Sequence, residues 1–390
     1  MTAQHEDGLP ARITLRYEPS GKSVRVPTGV SVFDAALWNG IAVDSTCGGH
    51  GTCRKCKVRI VDSELPISRA DERAFSEGDL TQLANLCHNC RGCYYACQYT
   101  APHEFDLNLP QALANVRQDS WEELAFPQSA AKLFQKNGAL IALACVIGFA
   151  LMFAAIKTMA SFGGEGFYSV LSHSAMVAIF LPSFLFPLVS IAISLRRYWR
   201  AVDGQRIKFS DIRGALLSAA KMRNLAGGHG DGCNFEDEDR FSHARRYAHQ
   251  AVIYGFLLCF ASTSSATFMH YLFDLHAPYQ LFSLPKILGV SGGVMLTVGC
   301  IEMIRLKLRS DRKLGATNAW GGELGFTGLL GFVGLSGLVL YAMGNSALMP
   351  SLLVLHLGSV LAFFLLTPFT KMAHGFYRLA ALVRDEQRKT

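Results

Sequence analysis

Six apolar stretches govern what this chain can fold into, at about 138–158, 168–194, 250–273, 285–304, 324–343 and 350–369. Each approaches the roughly 20 residues with which a helix crosses a bilayer. Inside hydrocarbon, only helices and closed barrels satisfy their own backbone groups. The composition agrees with this: half of the 390 residues are hydrophobic, and only 17% are charged. We therefore expect an all-α domain of six transmembrane helices over residues 129–390, with one long loop at 195–248.

The charge of the loops sets the expected orientation. Residues 196–246 carry eleven Lys and Arg, and Arg305, Lys307, Arg309, Arg312 and Lys313 crowd the connection between the fourth and fifth stretches. The opposite loops, 161–167, 274–283 and 344–349, carry none. By the positive-inside rule both termini and the long basic loop face the cytoplasm, which makes the chain a multi-pass protein of the cytoplasmic (inner) membrane. The net charge of +7 is thus a topology signal and not a mark of nucleic-acid binding. The polar start, Met-Thr-Ala-Gln-His-Glu-Asp, lacks the basic-then-apolar pattern of a signal peptide.

Ahead of the first apolar stretch lie seven of the eleven cysteines. Cys87, Cys90, Cys93 and Cys97 follow a C-x2-C-x2-C-x3-C spacing, which suits a [4Fe–4S] cube or a [3Fe–4S] cluster. A zinc knot would want two ligand pairs set further apart. Clustered cysteines with metal-type spacing also point to a reducing compartment. Upstream, Cys47-Gly-Gly-His-Gly-Thr-Cys53-Arg-Lys-Cys56 has glycines that let backbone amides turn towards sulfur.

The residues before that loop alternate as two short strands, Ile13–Tyr17 and Ser23–Val26, followed by a helix from Val32 to Asn39 with Ser31 as its N-cap and Gly40 closing it. Residues 12–60 resemble a β-grasp [2Fe–2S] ferredoxin, an α/β fold, with Cys47, Cys53 and Cys56 in the places of the first three cluster ligands. The resemblance implies a domain over 1–80 and a fourth ligand further on, either Cys87 or Cys97. Residues 81–128 then form the four-cysteine segment and a linker that includes a helix.

Two complete four-thiolate clusters need eight cysteines, and this region supplies seven. The eighth position is open to a non-cysteine ligand or a three-iron cluster, to Cys233 in the later loop, or to a first loop that holds no stable cluster.

Four histidines fall at the ends of two apolar stretches. His249 and His374 lie at the expected cytoplasmic depth, and His270 and His356 at the opposite depth. Their separations correspond to about 32 and 27 Å of helix rise. Imidazole is a common axial ligand of haem iron, so one or two b-type haems fit these positions. Arg245, Arg246, Lys371 and Arg378 are candidates to neutralise haem propionates. His173 is an alternative ligand or a quinone-site group.

The segment from Leu355-His356 to Met372-Ala-His374-Gly-Phe-Tyr-Arg378 resembles the last span of the respiratory nitrate reductase gamma subunit, a dihaem cytochrome b. That resemblance implies that His356 and His374 serve different haems. More broadly, Leu83-Ala-Asn-Leu-Cys-His-Asn-Cys, Ala-Cys-Gln-Tyr-Thr-Ala-Pro-His-Glu-Phe105, Gly232-Cys-Asn-Phe, Ser242-His-Ala-Arg-Arg and Tyr254-Gly-Phe-Leu-Leu-Cys-Phe-Ala-Ser262 resemble the tricarballylate/citrate-utilisation B family over roughly residues 80–385. The resemblance implies an electron-transfer subunit. It would reoxidise a cytoplasmic FAD-dependent dehydrogenase and pass electrons through iron–sulfur clusters and haem b to membrane quinone.

No Gly-x-Gly-x-x-Gly fingerprint follows a strand, so nucleotide chemistry is expected in a partner. The alternatives keep the cofactors but reverse the flow, to feed a cytoplasmic reductase or monooxygenase, or use the clusters as a membrane redox sensor.

Overall fold

A computed structural model describes residues 10–49, 55–56, 58, 60–64, 76–159, 166–227, 230–235 and 240–389. The chain divides into two units, Met1–Ala74 with Cys97–Leu107, and Phe75–Ala96 with Asn108–Thr390.

In the first unit, β1 (Arg12–Tyr17) and β2 (Lys22–Pro27) pair antiparallel from Arg12↔Pro27 to Tyr17↔Lys22. Their alternation puts Tyr17, Val24 and Val26 inside, where they meet Ala35, Ala36 and Ile41 from helix α1 (Val32–Trp38) and its exit. The Ser31 hydroxyl caps that helix, accepting from the Asp34 amide at 3.0 Å. Gly40 follows at φ +67°, as a helix end of this kind requires. The later strap, 97–107, belongs to the same body. Phe105 packs against the core, the Asp44 amide donates to Tyr99 Oη at 2.8 Å, and His103 Nε2 lies 3.1 Å from the Ala42 carbonyl. Among the described residues the unit's sheet is this two-stranded hairpin.

The second unit starts with α2 (Glu77–Leu86), closed at its N-terminus by a reciprocal Ser76–Asp79 capping box. A single-turn helix α3 (Gly92–Tyr95) and then α4 (Leu109–Leu124) follow. Next come α5 (Gln128–Met159), broken by a kink at Asn137, and α6 (His173–Ala201). The basic loop contains α7 (Phe209–Ala220) and a small hairpin of β3 (Cys233–Asn234) and β4 (Phe241–Ser242). The remainder is α8 (Ala244–Phe273), α9 (Leu284–Arg309), α10 (Trp320–Ala342), α11 (Met349–Leu366) and α12 (Ala373–Lys389).

Helices α5, α6, α8, α9, α10 and α11 are long and apolar enough to cross a membrane, in agreement with the six stretches read from the sequence. The kink at Asn137 separates the polar first turns of α5 from its apolar length, where the sequence places the start of the span. Helix α11 is central, with 61% of its apolar window buried, whereas α8 has 6%. Val146, Leu296, Cys300, Phe326, Leu330, Ala362 and Phe363 form the main core. Helices α8 and α9 approach closely through glycine. A Cβ on Gly292 would stand 2.8 Å from the Cys259 amide nitrogen and 2.8 Å from the Gly255 carbonyl oxygen.

Helix α2 is tied to the helix ends by buried polar side chains, each of them satisfied. Gln82 Nε2 donates to the Ala381 carbonyl at 2.8 Å, and its Oε1 accepts from Tyr198 Oη at 2.7 Å. Asn85 Oδ1 accepts from Trp121 Nε1 at 2.8 Å. Buried amides held from both sides in this way specify one docking position.

Candidate iron–sulfur and histidine site

The cysteine run leaves α2 directly. Cys87 is the C-cap of α2, and Cys93 sits in α3. Between them, Asn89 and Arg91 adopt left-handed φ of 53° and 68°, which wraps the chain tightly enough for the Asn89 amide to point at Cys87 Sγ, 3.4 Å away.

Arginines from distant elements pin this loop by its carbonyls. Arg117 Nη1 donates to Cys87 O at 2.9 Å and Arg378 Nη2 to the same oxygen at 2.8 Å. Arg245 Nη1 donates to His88 O at 2.6 Å and lies 3.2 Å from Asn89 O. Arg91 Nη2 donates to Asp311 O at 2.7 Å, and Asn89 Nδ2 to Leu314 O at 2.9 Å.

These are cations gathered around sulfur. Burial, with the like charges of Arg117 and Arg245, pulls the Arg378 guanidinium well below its ordinary range, while Cys87 and Cys233 act in the opposite direction. Burial likewise lowers Arg117, opposed by Cys87. The Cys93 thiol is pushed up to about 11 by burial and by the neighbouring Cys87 and Cys90 charges. Thiols gathered near buried guanidiniums suit a group that brings net negative charge. An iron–sulfur cluster is such a group. Among the described residues no three His, Cys, Asp or Glu side chains converge on a single metal ion. A cluster asks for less convergence, because each thiolate binds its own iron. The donor set and its surroundings therefore fit a cluster.

In the first unit, Cys47 and Cys56 are described and half-buried, and Cys53 lies outside the described residues. Gly48 and Gly49 have φ of 64° and 87°, and Ser45 Oγ accepts from the Gly49 amide at 2.9 Å and lies 3.7 Å from Cys47 Sγ. Lys55 Nζ pairs with Asp44 at 3.1 Å. Cys97 opens the strap of this same unit.

Of the four histidines singled out from sequence, two meet. The His249 and His374 rings are 5.9 Å apart between centroids, with planes at 80°. His374 Nδ1 is engaged by the Lys371 carbonyl, while the buried His249 Nδ1 has no hydrogen-bond partner among the described residues. Burial and the charge of Arg378 hold the His374 imidazole well below its usual range, so it is neutral and able to ligate.

The two rings line a cavity of about 90 Å³ together with His88, Met222, Leu225, Arg378 and Leu379. Two imidazoles beside buried cations are a donor set that would hold a haem iron. A porphyrin is larger than this cavity, since cofactor pockets are on the order of 300–1,000 Å³, so loading it has to move lining side chains.

The outer histidines are arranged differently. His270 stacks on His173 at 4.2 Å and meets His276 at 4.3 Å, whereas His356 Nδ1 lies 3.0 Å from Ser336 Oγ.

The four candidate propionate cations also divide. Arg245 and Arg378 serve the cysteine loop. Arg246 Nη2 donates to Lys221 O at 2.8 Å, and Lys371 pairs with Glu323 at 2.5 Å, the carboxylate it shares with Lys307. Arg117, Arg91 and His88 escaped the sequence reading: a lone arginine on a short amphipathic helix carries no pattern that reveals its target.

The Citrate utilization protein B family matches residues 128–390, and the Citrate utilization protein B Fer4-like domain matches residues 45–123. The chain is 37% identical over 317 residues to the Citrate utilization protein B of Escherichia coli, a match that covers 80% of this chain and 83% of the relative. Its N-terminal part is also similar to the F component of the Na(+)-translocating NADH-quinone reductase. The identity is 32% over 97 residues for the Chlamydia felis protein and 28% over 101 residues for the Klebsiella pneumoniae protein. These matches take in 25% and 26% of this chain and 20% and 22% of those relatives. No solved structure matches the chain. A ferredoxin-like N-terminal part thus precedes six membrane-length helices, and the chain belongs to the citrate utilization protein B family.

Proposed function

We propose that the chain is a membrane-anchored electron-transfer protein that links a cytoplasmic flavoprotein dehydrogenase of the tricarballylate or citrate type to membrane quinone. In this reading Cys47, Cys53 and Cys56 would hold a [2Fe–2S] centre, the Cys87–Cys93 loop a [4Fe–4S] centre, and His249 with His374 a b-type haem, each of which would supply one-electron transfer. Both termini and both clusters lie on the cytoplasmic side.

One observation carries this reading. His88, the residue after Cys87, lines the same cavity as His249 and His374, and Arg378 lines it too while holding the Cys87 carbonyl at 2.8 Å. The cysteine loop and the histidine pair are therefore adjacent, as a one-electron relay needs. The cofactors, when bound, supply the one-electron steps. The chain's own residues position them: Arg117, Arg245 and Arg378 fix the loop carbonyls and set a positive field, and Leu225, Leu379 and Leu382 give the cavity beside the histidines an apolar lining. The similarity of the N-terminal part to a component of a quinone reductase supports the quinone as acceptor.

The test uses the purified full chain in detergent, reduced by dithionite and then mixed with decyl-ubiquinone. The cluster EPR signals and a b-type α-band should both be reoxidised by the quinone. A protein that stays reduced overturns the proposal.

A further inference from the structure

Eight thiolates are needed for two complete clusters, and the sequence places seven of them before the first span. Of the remaining four cysteines, Cys145, Cys259 and Cys300 lie within α5, α8 and α9. Cys233 alone lies outside a span.

The structure brings Cys233 to the cysteine loop. The amide of its neighbour Asn234 donates to the Cys90 carbonyl at 3.0 Å, so β3 is laid directly along the loop by a bond between two backbones distant in sequence. Cys233 is 2% exposed and forms a small apolar cluster with Met222 and Leu225, against which Cys90 packs. A single guanidinium nitrogen, Arg245 Nη1, touches both sides: it donates to His88 O at 2.6 Å and lies 4.0 Å from Cys233 Sγ. Arg378 is likewise within the electrostatic reach of both Cys87 and Cys233. Close approach is built into the preceding residue. Gly232 adopts φ +101°, and its Cα hydrogens face the Ser242 carbonyl with no space for a side chain.

Cys97 has the opposite surroundings. The chain leaves the second unit after Ala96, and Cys97 opens the strap that folds with Cys47 and Cys56. Its neighbours Gln98 and Tyr99 both bond to Asp44, three residues before Cys47.

We propose that Cys233 is the fourth thiolate of the cluster held by Cys87, Cys90 and Cys93, and that Cys97 completes the Cys47–Cys53–Cys56 centre. This assignment rests on the iron–sulfur reading above and accounts for all eight positions with thiolates. It also makes the basic loop part of a cluster, since β3 comes from that loop.

The experiment compares the unmodified full chain with Cys233→Ser and Cys97→Ser, each purified anaerobically and monodisperse in detergent. The readouts are iron content and EPR after dithionite reduction. Cys233→Ser should lose the four-iron signal, or exchange it for a three-iron signal in the oxidised protein, and keep the two-iron signal. Cys97→Ser should do the reverse. Retention of the full four-iron signal in Cys233→Ser, or its loss in Cys97→Ser, overturns the assignment. If Cys233→Ser does not yield folded protein, the Cys97→Ser spectrum decides alone. An unmodified protein with no four-iron signal would sink the proposed function itself, and this assignment with it.

Discussion

Arg378 Nη2 lies 2.8 Å from the carbonyl oxygen of Cys87, a bond that spans 291 residues and fastens the first cysteine of the loop to the last helix of the chain. The guanidinium is buried among like charges, a position that is stable when a negative group sits close by. Arg378→Met keeps most of the volume and removes the charge. A unit charge about 8 Å away in an effective dielectric of about 20 contributes roughly 2 kcal/mol, about 90 mV for one electron. The four-iron midpoint potential should therefore fall by about 50–100 mV in a redox titration followed by EPR. An unchanged potential would mean the charge is screened from the cluster.

The histidines give a selective pattern. His249→Ala and His374→Ala should each abolish the b-type α-band in a pyridine haemochrome assay, because their rings meet at 5.9 Å in one cavity. His356→Ala should leave that band in place, because His356 lies at the opposite depth from the inner pair, with its Nδ1 3.0 Å from Ser336 Oγ. Loss of haem from His356→Ala would restore the two-depth arrangement expected from sequence.

Glu323 is the shared partner of Lys307 and Lys371, and its side chain is 19% exposed. Glu323→Gln leaves two cations facing each other without compensation. The expected loss is on the order of 3 kcal/mol, seen as a lower thermal midpoint of the detergent-solubilised protein.

Glycine at 292 permits the α8–α9 approach, and a branched side chain there meets backbone on the facing helix. Gly292→Leu should destabilise by about 1–3 kcal/mol through overpacking. Because α8 carries both Arg245 and His249, the same variant should also lower iron and haem content. Normal cofactor content would show that the helix end is positioned independently of its middle.

Hydrogen bonds from Arg388 and from Ser76 hold the Asp79 carboxyl below its ordinary range. Its pKa is thus lower folded than unfolded, so the stability it contributes is present above about pH 4 and is lost as pH falls through the folded value. Asp79→Asn should therefore lower the thermal midpoint at pH 7, and the gap to the unmodified protein should close as the pH is taken from about 5 towards about 3.

The membrane helices are legible because hydrophobic length is a local property: six runs in the sequence become six long apolar helices. The ferredoxin-like hairpin is legible for a similar reason, since strand alternation and the Ser31 cap lie within a few residues of what they determine. The cysteine types and spacing carry the chemistry. What a linear reading cannot supply is partnership across the chain. Cys87 and Cys97 look interchangeable as the shared ligand, although one is pinned by Arg117 and Arg378 while the other opens a strap of the first unit. The outer histidines match in depth, but depth along a helix says nothing about which face each ring takes. His270 turns to His173, and His356 to Ser336.

The strap at 97–107 makes the first unit discontinuous in sequence, since α2 and α3 interrupt it. No single cut in the gene releases this unit whole. A fragment ending at residue 80 discards Cys97, Tyr99 and Phe105, whereas one ending at 107 carries along α2 and the Cys87–Cys93 loop stripped of Arg117, Arg245 and Arg378. The ferredoxin-like unit can therefore be neither gained nor lost whole by a simple end-to-end fusion. Shortened versions made for spectroscopy should be expected to misreport one cluster or the other.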